Sequence, residues 1–187
     1  TSWKDLAKAE AKGLVTMPSP LTSGAALIHA QTLAAANGLG WDYYKALKAN
    51  EAIAGGGNGA VLKSVASGEK AFGVVVDYMP IREKAKGAPV EFVFPEEGVS
   101  AVTEPVAIIK GTKHEEAAKK FVDYVLSEKG QQGFVKLGYI PARADAGMPE
   151  GFPARDKIKV LPLGAADALK NSEQDLKTFS DIFGSKG

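Results

Sequence analysis

The chain contains no cysteine, which excludes disulfides, thiolate metal sites and cysteine nucleophiles. Its two histidines leave little for histidine-based catalysis or for a zinc site. Positive and negative charges are nearly balanced. The chain has 23 lysines and arginines and 22 aspartates and glutamates, which gives a formal net charge of +1. This balance argues against a dedicated nucleic-acid binder, which normally carries a basic excess. No segment approaches the roughly 18 apolar residues that a membrane-spanning helix requires.

What is present is an ordinary globular composition. The 187 residues are 45% hydrophobic and 24% charged, enough for one good-sized domain or two small ones. The 21 glycines predict many turns and close backbone approaches. Residues 1–5 include no apolar signal segment, and we expect a mature or trimmed soluble chain.

Apolar strand-like segments alternate with helical patterns along the chain, which favours an α/β class with mostly parallel strands. Residues 71–76 form a continuous apolar run, typical of a strand covered on both faces, with Val74, Val75 and Val76 central and buried. Three further strands are predicted at 14–17, 90–94 and 106–109. Helices are predicted at 22–37, 40–49, after the glycines of 55–59, and at 81–86, 112–126, 131–137 and 172–183.

The clearest predicted helix begins at Thr112. Thr112 and Glu115 have capping-box spacing, and Glu115/Lys119 and Glu116/Lys120 are spaced as i,i+4 ion pairs. Its apolar stripe predicts a face that packs on another element. These residues are Ala118, Phe121, Val122, Val125 and Leu126.

The first candidate site follows the first predicted strand, at Thr22, Ser23, Gly24 and Ala25. A helix that begins here offers unpaired backbone N–H groups and the positive end of its dipole to an anion, and Gly24 allows close approach. The simpler interpretation is that Thr22 or Ser23 only caps the helix.

Two further candidates follow later strands. Asn58, after a run of glycines, could cap the next helix, contact a ligand or do both. Asp77 and Tyr78 follow the apolar run, at the strand end where ligands bind in open α/β sheets. The alternative for this pair is an Asp that ends the strand and a Tyr that covers the sheet edge.

Catalytic sets are scarce. His29 and His114 lie within predicted helices without an evident Ser or Asp partner, so we expect both to be surface residues. Tyr43 and Tyr44 resemble a metal-binding pair, but helix neighbours point about 100° apart, which predicts one buried and one exposed ring.

Motifs in a fixed order resemble the periplasmic solute-binding proteins of ABC transporters, most closely the ferric-iron/spermidine/phosphonate-type extracellular family. They are MPSPLTSGA at 17–25, AGGGN at 54–58, SGEKAFG at 67–73, EPVAIIKG at 104–111, AAKKFV at 117–122, SEKGQ at 127–131 and GYIPAR at 138–143.

The resemblance implies two α/β lobes with a ligand held between them, and predicts a type II periplasmic-binding-protein fold. Residues 1–101 would form the second-lobe core. Residues 102–144 would supply a crossover strand and helices that normally associate with the first lobe, and residues 145–187 would return to the second. The first-lobe sheet would be missing, so we expect a C-terminal fragment that dimerises, swaps a segment or repacks.

The resemblance also assigns the candidate residues. Ser23, Gly24 and Ala25 match the loop that holds an anion or a phosphate-bearing group, Asn58 matches a further contact, and Asp77 and Tyr78 fall among the ligand-contacting residues. Iron-binding members carry consecutive tyrosines at that last position as metal ligands, whereas this chain has Asp77-Tyr78-Met79, which argues against ferric iron. We assign no metal-ligating residues.

These expectations define a non-enzymatic, cofactor-free binding component of an ABC importer, periplasmic, or extracellular and lipid-anchored in a Gram-positive source. Its ligand would be a small phosphonate or sugar phosphate, and its partner a membrane permease. Ferric iron with a companion anion is the alternative, followed by an α/β enzyme that acts on a phosphorylated substrate. No nucleic-acid partner is expected.

Overall fold

The computed structural model describes residues 1–184. The chain divides into two compact units, one formed by Thr1–Val102 with the chain from Ile158 onward, the other by Thr103–Lys157. Within residues 1–184, none of the helices combines the length and the apolar character that crossing a membrane requires. The assignment of the units to lobes stays a prediction.

The first unit is built on a three-stranded parallel sheet, in the order β2-β1-β3. Strand β1 (Val15–Met17) is central and fully buried, because its short apolar sequence has a strand on each side. Strand β2 (Ile53–Ala54) pairs Ile53 with Thr16, and strand β3 (Phe72–Gly73) pairs Gly73 with Thr16. The predicted α/β class with parallel strands is therefore confirmed.

Seven α-helices occur within the described residues. They are α1 (Gly24–Ala35), α2 (Gly40–Ala49), α3 (Asn58–Ala66), α4 (Tyr78–Ala85), α5 (Glu115–Leu126), α6 (Glu128–Lys136) and α7 (Ala165–Phe183). Short 3-10 segments lie at Trp3–Ala7, Ala9–Ala11, Ala144–Ala146 and Arg155–Lys157.

The main core lies where α1, α2 and α7 meet. Tyr44 of α2 and Phe179 of α7 are its largest fully buried side chains, and their rings meet edge-on with centroids 5.8 Å apart. Leu33 of α1 and Leu47 of α2 complete the contact. Helix α7 begins at Ala165, earlier than the predicted Ser172.

The predicted strand at 71–76 is wrong beyond its first residues. Only Phe72 and Gly73 pair as a strand, and Val74, Val75 and Val76 are half-buried rather than central. The physical reason is the strand order, since β3 is the outer strand of the sheet within the described residues, and one of its two hydrogen-bonding edges has no strand beside it.

The strands predicted at 90–94 and 106–109 are also absent from the described residues. Both segments lack a neighbouring strand with which to pair, and their apolar side chains are partly open to solvent, as at Val93 and Ile109. Outside these two segments, a single parallel bridge joins Val99 to Val160, which sequence patterns did not indicate.

The capping box predicted at Thr112 and Glu115 is wrong as well. The N-cap of helix α5 is His114, two residues after the predicted cap, and Thr112 Oγ1 accepts a hydrogen bond from His114 N in the preceding turn, at 3.3 Å. The ion pair Glu115/Lys119 is present at 2.9 Å. Lys119 also pairs with Glu116 at 3.2 Å, in place of the predicted Lys120.

The second unit is organised around a buried amide. Gln131 of α6 donates from Nε2 to the carbonyl of Val125 at 2.8 Å and accepts from Ala142 N at 2.6 Å. One side chain therefore joins α5, α6 and the segment that follows them. Phe121 and Leu126 of α5 are exposed, so the described residues of this chain leave part of the apolar stripe of that helix uncovered.

Candidate functional site

The candidate residues lie at one edge of the parallel sheet. Each strand runs at its carboxyl end into a loop and then into a helix, β1 into α1, β2 into α3 and β3 into α4. Because parallel strands share one direction, the N-termini of these three helices lie at the same sheet edge. Helix N-termini carry unpaired N–H groups and partial positive charge, so this edge favours negatively charged groups.

The loop between β1 and α1 is folded tightly around Ser19, which is fully buried. The Ser19 carbonyl accepts from the backbone N–H groups of Thr22 and Ser23, at 3.1 and 3.0 Å. This turn delivers Ser23 as the N-cap of α1, where Ser23 Oγ accepts from Ala26 N at 3.3 Å. The capping role weighed for Ser23 is therefore present, and its hydroxyl proton is still available to a ligand.

The first backbone donors of α1 remain open. Among residues 1–184, no hydrogen-bond partner is present for the N–H groups of Gly24 and Ala25. Thr22 and Gly24 are exposed and Ser23 and Ala25 half-buried, so an anion can reach this turn from solvent. A Cβ added at Gly24 would meet no atom within 4 Å, which shows open space beside the donors.

Asn58 has a contact that connects two of the loops. Its Oδ1 accepts a hydrogen bond from Val76 N at 3.0 Å, which ties the start of α3 to the segment leading into α4. Asn58 is the first residue of α3, and Gly57 is its N-cap. The amide oxygen of Asn58 therefore already accepts a hydrogen bond from the protein, and the amide nitrogen is the group that could contact a ligand.

Asp77 is the N-cap of α4, and its Oδ1 accepts from Tyr78 N at 2.7 Å. Both residues are half-buried. Burial raises the pKa of the Asp77 carboxyl, and backbone N–H groups, including that of Tyr78, partly oppose the rise. Asp77 thus supplies an acceptor at the same edge where α1 and α3 supply donors.

The tyrosine pair lies elsewhere, and the prediction that one ring would be exposed is wrong. Tyr43 and Tyr44 are both buried, and their hydroxyl oxygens have no hydrogen-bond partner within the described residues. Helix α2 is covered on two sides, by the 3-10 segment of Trp3–Ala7 and by α7, which explains how neighbouring positions are both enclosed. Burial raises the pKa of both phenols, which opposes their use as phenolate ligands.

The contacts of His29 were not predicted from the sequence. His29 was expected at the surface, but it is half-buried, its ring 4.9 Å from that of Trp3 and its Nδ1 3.0 Å from Ser100 Oγ. Burial lowers the pKa of His29 to about 4. The pair joins α1 to residues distant in the chain, so no local pattern could have indicated it.

Across the part of the chain that the structure describes, no group of three or more His, Cys, Asp or Glu side chains could hold a metal ion. The chemistry of the candidate edge is instead that of backbone amides, a serine hydroxyl, an asparagine amide and one carboxylate. These groups are chemically able to donate hydrogen bonds to a polar ligand and to accept them from it.

The family model of the bacterial extracellular solute-binding proteins matches residues 1–171. An uncharacterized protein of Haemophilus influenzae is 33% identical over 138 residues, which is 73% of this chain and 40% of that protein.

Solved structures share the fold over nearly the whole chain. The periplasmic binding protein AfuA of Actinobacillus pleuropneumoniae, with exogenous fructose-6-phosphate bound, is similar at a TM-score of 0.82 and 27% identity, over 99% of this chain and 60% of AfuA. Iron-bound HitA of Pseudomonas aeruginosa is similar at a TM-score of 0.75 and 22% identity, over 97% of this chain and 60% of HitA.

The chain thus spans 40% of its relative from H. influenzae and 60% of the AfuA and HitA chains. The match over residues 1–171 and the shared parallel-sheet fold lead to one conclusion. This chain belongs to the bacterial extracellular solute-binding protein family.

Proposed function

We propose that this chain supplies the anion-binding edge of a solute-binding protein that serves an ABC importer. Its ligand is a small phosphorylated solute, of the sugar-phosphate or phosphonate type, and the protein captures it without chemical turnover. It works outside the cytoplasm, in the periplasm or at the cell surface, and delivers its ligand to a membrane permease.

The open donors of α1 carry this proposal. The N–H groups of Gly24 and Ala25 have no partner within the described residues, and they lie at the positive end of a 12-residue helix. A phosphate there accepts from both N–H groups and from the Ser23 hydroxyl, and each hydrogen bond to a charged group contributes about 1.5–3 kcal/mol.

The other helix starts complete a donor and acceptor set. The Asn58 amide nitrogen, held in place because its oxygen binds Val76 N, can donate to a phosphate oxygen or to a hydroxyl oxygen. The Asp77 carboxylate cannot bind a phosphate, because like charges repel, but it can accept from a sugar hydroxyl. An anionic head near α1 with a hydroxylated body toward α4 satisfies both ends.

The likeness to AfuA supports the same ligand class. AfuA is described with a sugar phosphate, fructose-6-phosphate. This chain is 27% identical to AfuA over 99% of its own residues, which correspond to 60% of AfuA. The phosphate of such a ligand matches the open N–H groups, and its hydroxyls match Asn58 and Asp77. The family's description as extracellular supports the proposed location.

Calorimetric titration with fructose 6-phosphate tests the site through Ser23. Ser23→Asp keeps a good N-cap but places a negative charge beside the anion, so stability should hold while affinity falls at least tenfold. Ser23→Ala should behave differently, with stability lower by about 1 kcal/mol through the lost cap and affinity reduced less.

A proline pair separates the backbone donors from general effects on helices. Gly24→Pro removes the first N–H of α1 at a position where proline suits a helix, and Ser23 already has the extended backbone that precedes proline (φ −134°, ψ 114°). The matched control is Ala165→Pro, at the first position of α7. Gly24→Pro should weaken binding about tenfold or more and Ala165→Pro should not. Equal affinities for both variants, with helix content intact, would refute the site.

A further inference from the structure

Ser19 is a buried polar residue in the loop between β1 and α1. It is 1% exposed and lies between Pro18 and Pro20, which are also buried. A buried hydroxyl costs free energy unless it forms hydrogen bonds, and an alanine would fill nearly the same space without that cost. The contacts of the Ser19 hydroxyl therefore indicate what this residue does.

Ser19 binds the backbone of the three residues that precede α1. Its Oγ accepts a hydrogen bond from Leu21 N at 3.2 Å, and its carbonyl accepts from Thr22 N at 3.1 Å and from Ser23 N at 3.0 Å. Three consecutive backbone N–H groups thus point inward, to one residue. The next two, those of Gly24 and Ala25, have no partner within the described residues and are the backbone donors of the proposed anion site.

The prolines on either side make the Ser19 hydroxyl important for this turn. Pro18 and Pro20 have no N–H group, so neither can donate a hydrogen bond that would hold the loop. Of the three bonds that Ser19 accepts from Leu21, Thr22 and Ser23 N–H groups, the one from Leu21 N is made by the side chain. Removal of the hydroxyl therefore releases Leu21 N and leaves both prolines in place.

Both ends of the turn are fixed by the surrounding structure. The carbonyl of Met17 in β1 accepts from Gly55 N at 3.0 Å, and the carbonyl of Ser23 accepts from Leu27 N of α1 at 3.0 Å. Between these ends, the contacts of Ser19 hold the backbone that leads into α1. Donors that are already held in place bind a ligand more tightly, because binding does not have to order them.

We propose that Ser19 is a positioning residue of the anion site. It is closed to solvent and acts through Leu21, Thr22 and Ser23, whose N–H groups it holds inward while those of Gly24 and Ala25 stay free for the anion. This inference rests on the proposed function and adds to it a residue that does not touch the ligand.

Two measurements on Ser19→Ala test this role, under conditions where circular dichroism shows the variant to be folded. Without ligand, the hydrogen-exchange rate of the Leu21 amide should rise at least tenfold. In calorimetric titration with fructose 6-phosphate, affinity should fall at least fivefold. Ser19→Cys fills a similar space with a weaker acceptor, so it should lower affinity twofold to fivefold, and it carries the test if Ser19→Ala does not fold.

Thr32→Val is the matched control. Thr32 lies on α1, is also 1% exposed, and its Oγ1 donates to the carbonyl of Ile28 at 2.7 Å, away from the turn. Its loss should leave both the affinity and the exchange of the Leu21 amide within twofold of the parent.

The outcomes separate this inference from the proposed function. If the parent binds fructose 6-phosphate, the role of Ser19 is overturned by equal affinity in the parent and Ser19→Ala, by equal losses in Ser19→Ala and Thr32→Val, or by unchanged exchange of the Leu21 amide. A parent chain that binds neither fructose 6-phosphate nor inorganic phosphate refutes the proposed function itself, and the role of Ser19 at that site with it.

Discussion

Acidification should destabilise the chain through His29. Its ring lies against Trp3 and hydrogen-bonds Ser100, and burial lowers its pKa from 6.5 to about 4. The unfolded chain therefore takes up a proton as the pH falls through 6.5, whereas the folded chain does not until about pH 4. Stability is complete above pH 6.5 and is lost progressively between these two values.

The size of the loss follows from the pKa difference. Each pKa unit corresponds to about 1.4 kcal/mol, so the free energy of unfolding should fall by at most about 3 kcal/mol toward pH 4. Because the ring is half-buried rather than enclosed, solvent reduces this figure, and about 2 kcal/mol is the expected loss.

Urea denaturation at several pH values between 7 and 4.5 measures this loss, with His29→Phe as the test variant. Phenylalanine keeps the contact with Trp3 and cannot titrate, so its stability should depend less on pH than that of the parent. The control is His114→Gln, since His114 is exposed and is the second of the chain's two histidines. Parallel pH dependence in the parent and His29→Phe would refute the reasoning.

Three stability predictions follow from other contacts. Tyr44→Phe removes a buried hydroxyl that lacks a partner within the described residues, so the free energy of unfolding should stay level or rise by up to about 1 kcal/mol. Gly73→Ala should cost about 1–3 kcal/mol, because its Cβ would lie 2.7 Å from Val61 Cγ1, whereas Gly59→Ala in α3 meets no atom within 4 Å and should be stabilising. Gln131→Leu leaves two backbone groups of the second unit unpaired and should cost about 2–4 kcal/mol. Urea denaturation measures all three; a marked loss in Tyr44→Phe, or none in the other two, would contradict these contacts.

Local sequence signals predicted the elements that depend on local physics. The helix at Gly40–Ala49 and the N-cap at Ser23 follow from periodicity and a hydroxyl at a helix start, and both are observed. The parallel class followed from the alternation of strands and helices. These features depend on residues a few positions apart, which a single sequence displays.

Features that depend on distant residues were mistaken or missed. The run at Val74–Val76 is apolar enough for a central strand, but its place at the sheet edge is decided by which strands pair. The burial of Tyr43 depends on the segments that cover α2. The contact of His29 with Ser100 depends on the fold that brings these distant residues together. Periodicity carries none of this information.

Placement of the candidate residues at one sheet edge follows from the parallel order, which was predicted, together with the positions of the loops. The hydrogen bond from Val76 N to Asn58 Oδ1 was not predicted. The side-chain amide of an asparagine at a helix start can cap its own helix or hydrogen-bond a neighbouring loop, and the sequence does not distinguish the two. The ligand preference of the edge stays a prediction.

The most direct test of the anion site is an NMR titration of the ¹⁵N-labelled chain with fructose 6-phosphate. The backbone signals of Gly24 and Ala25, whose N–H groups are unpartnered within the described residues, should move saturably, together with the side-chain amide of Asn58. Titration with fructose is the control for a sugar without a phosphate. The backbone signal of Ala165, at the start of α7, is the control for an unrelated helix N-terminus. We expect movement at Gly24 and Ala25 with the phosphorylated sugar alone. Saturable binding that leaves both signals in place, or equal movement with fructose, would contradict it.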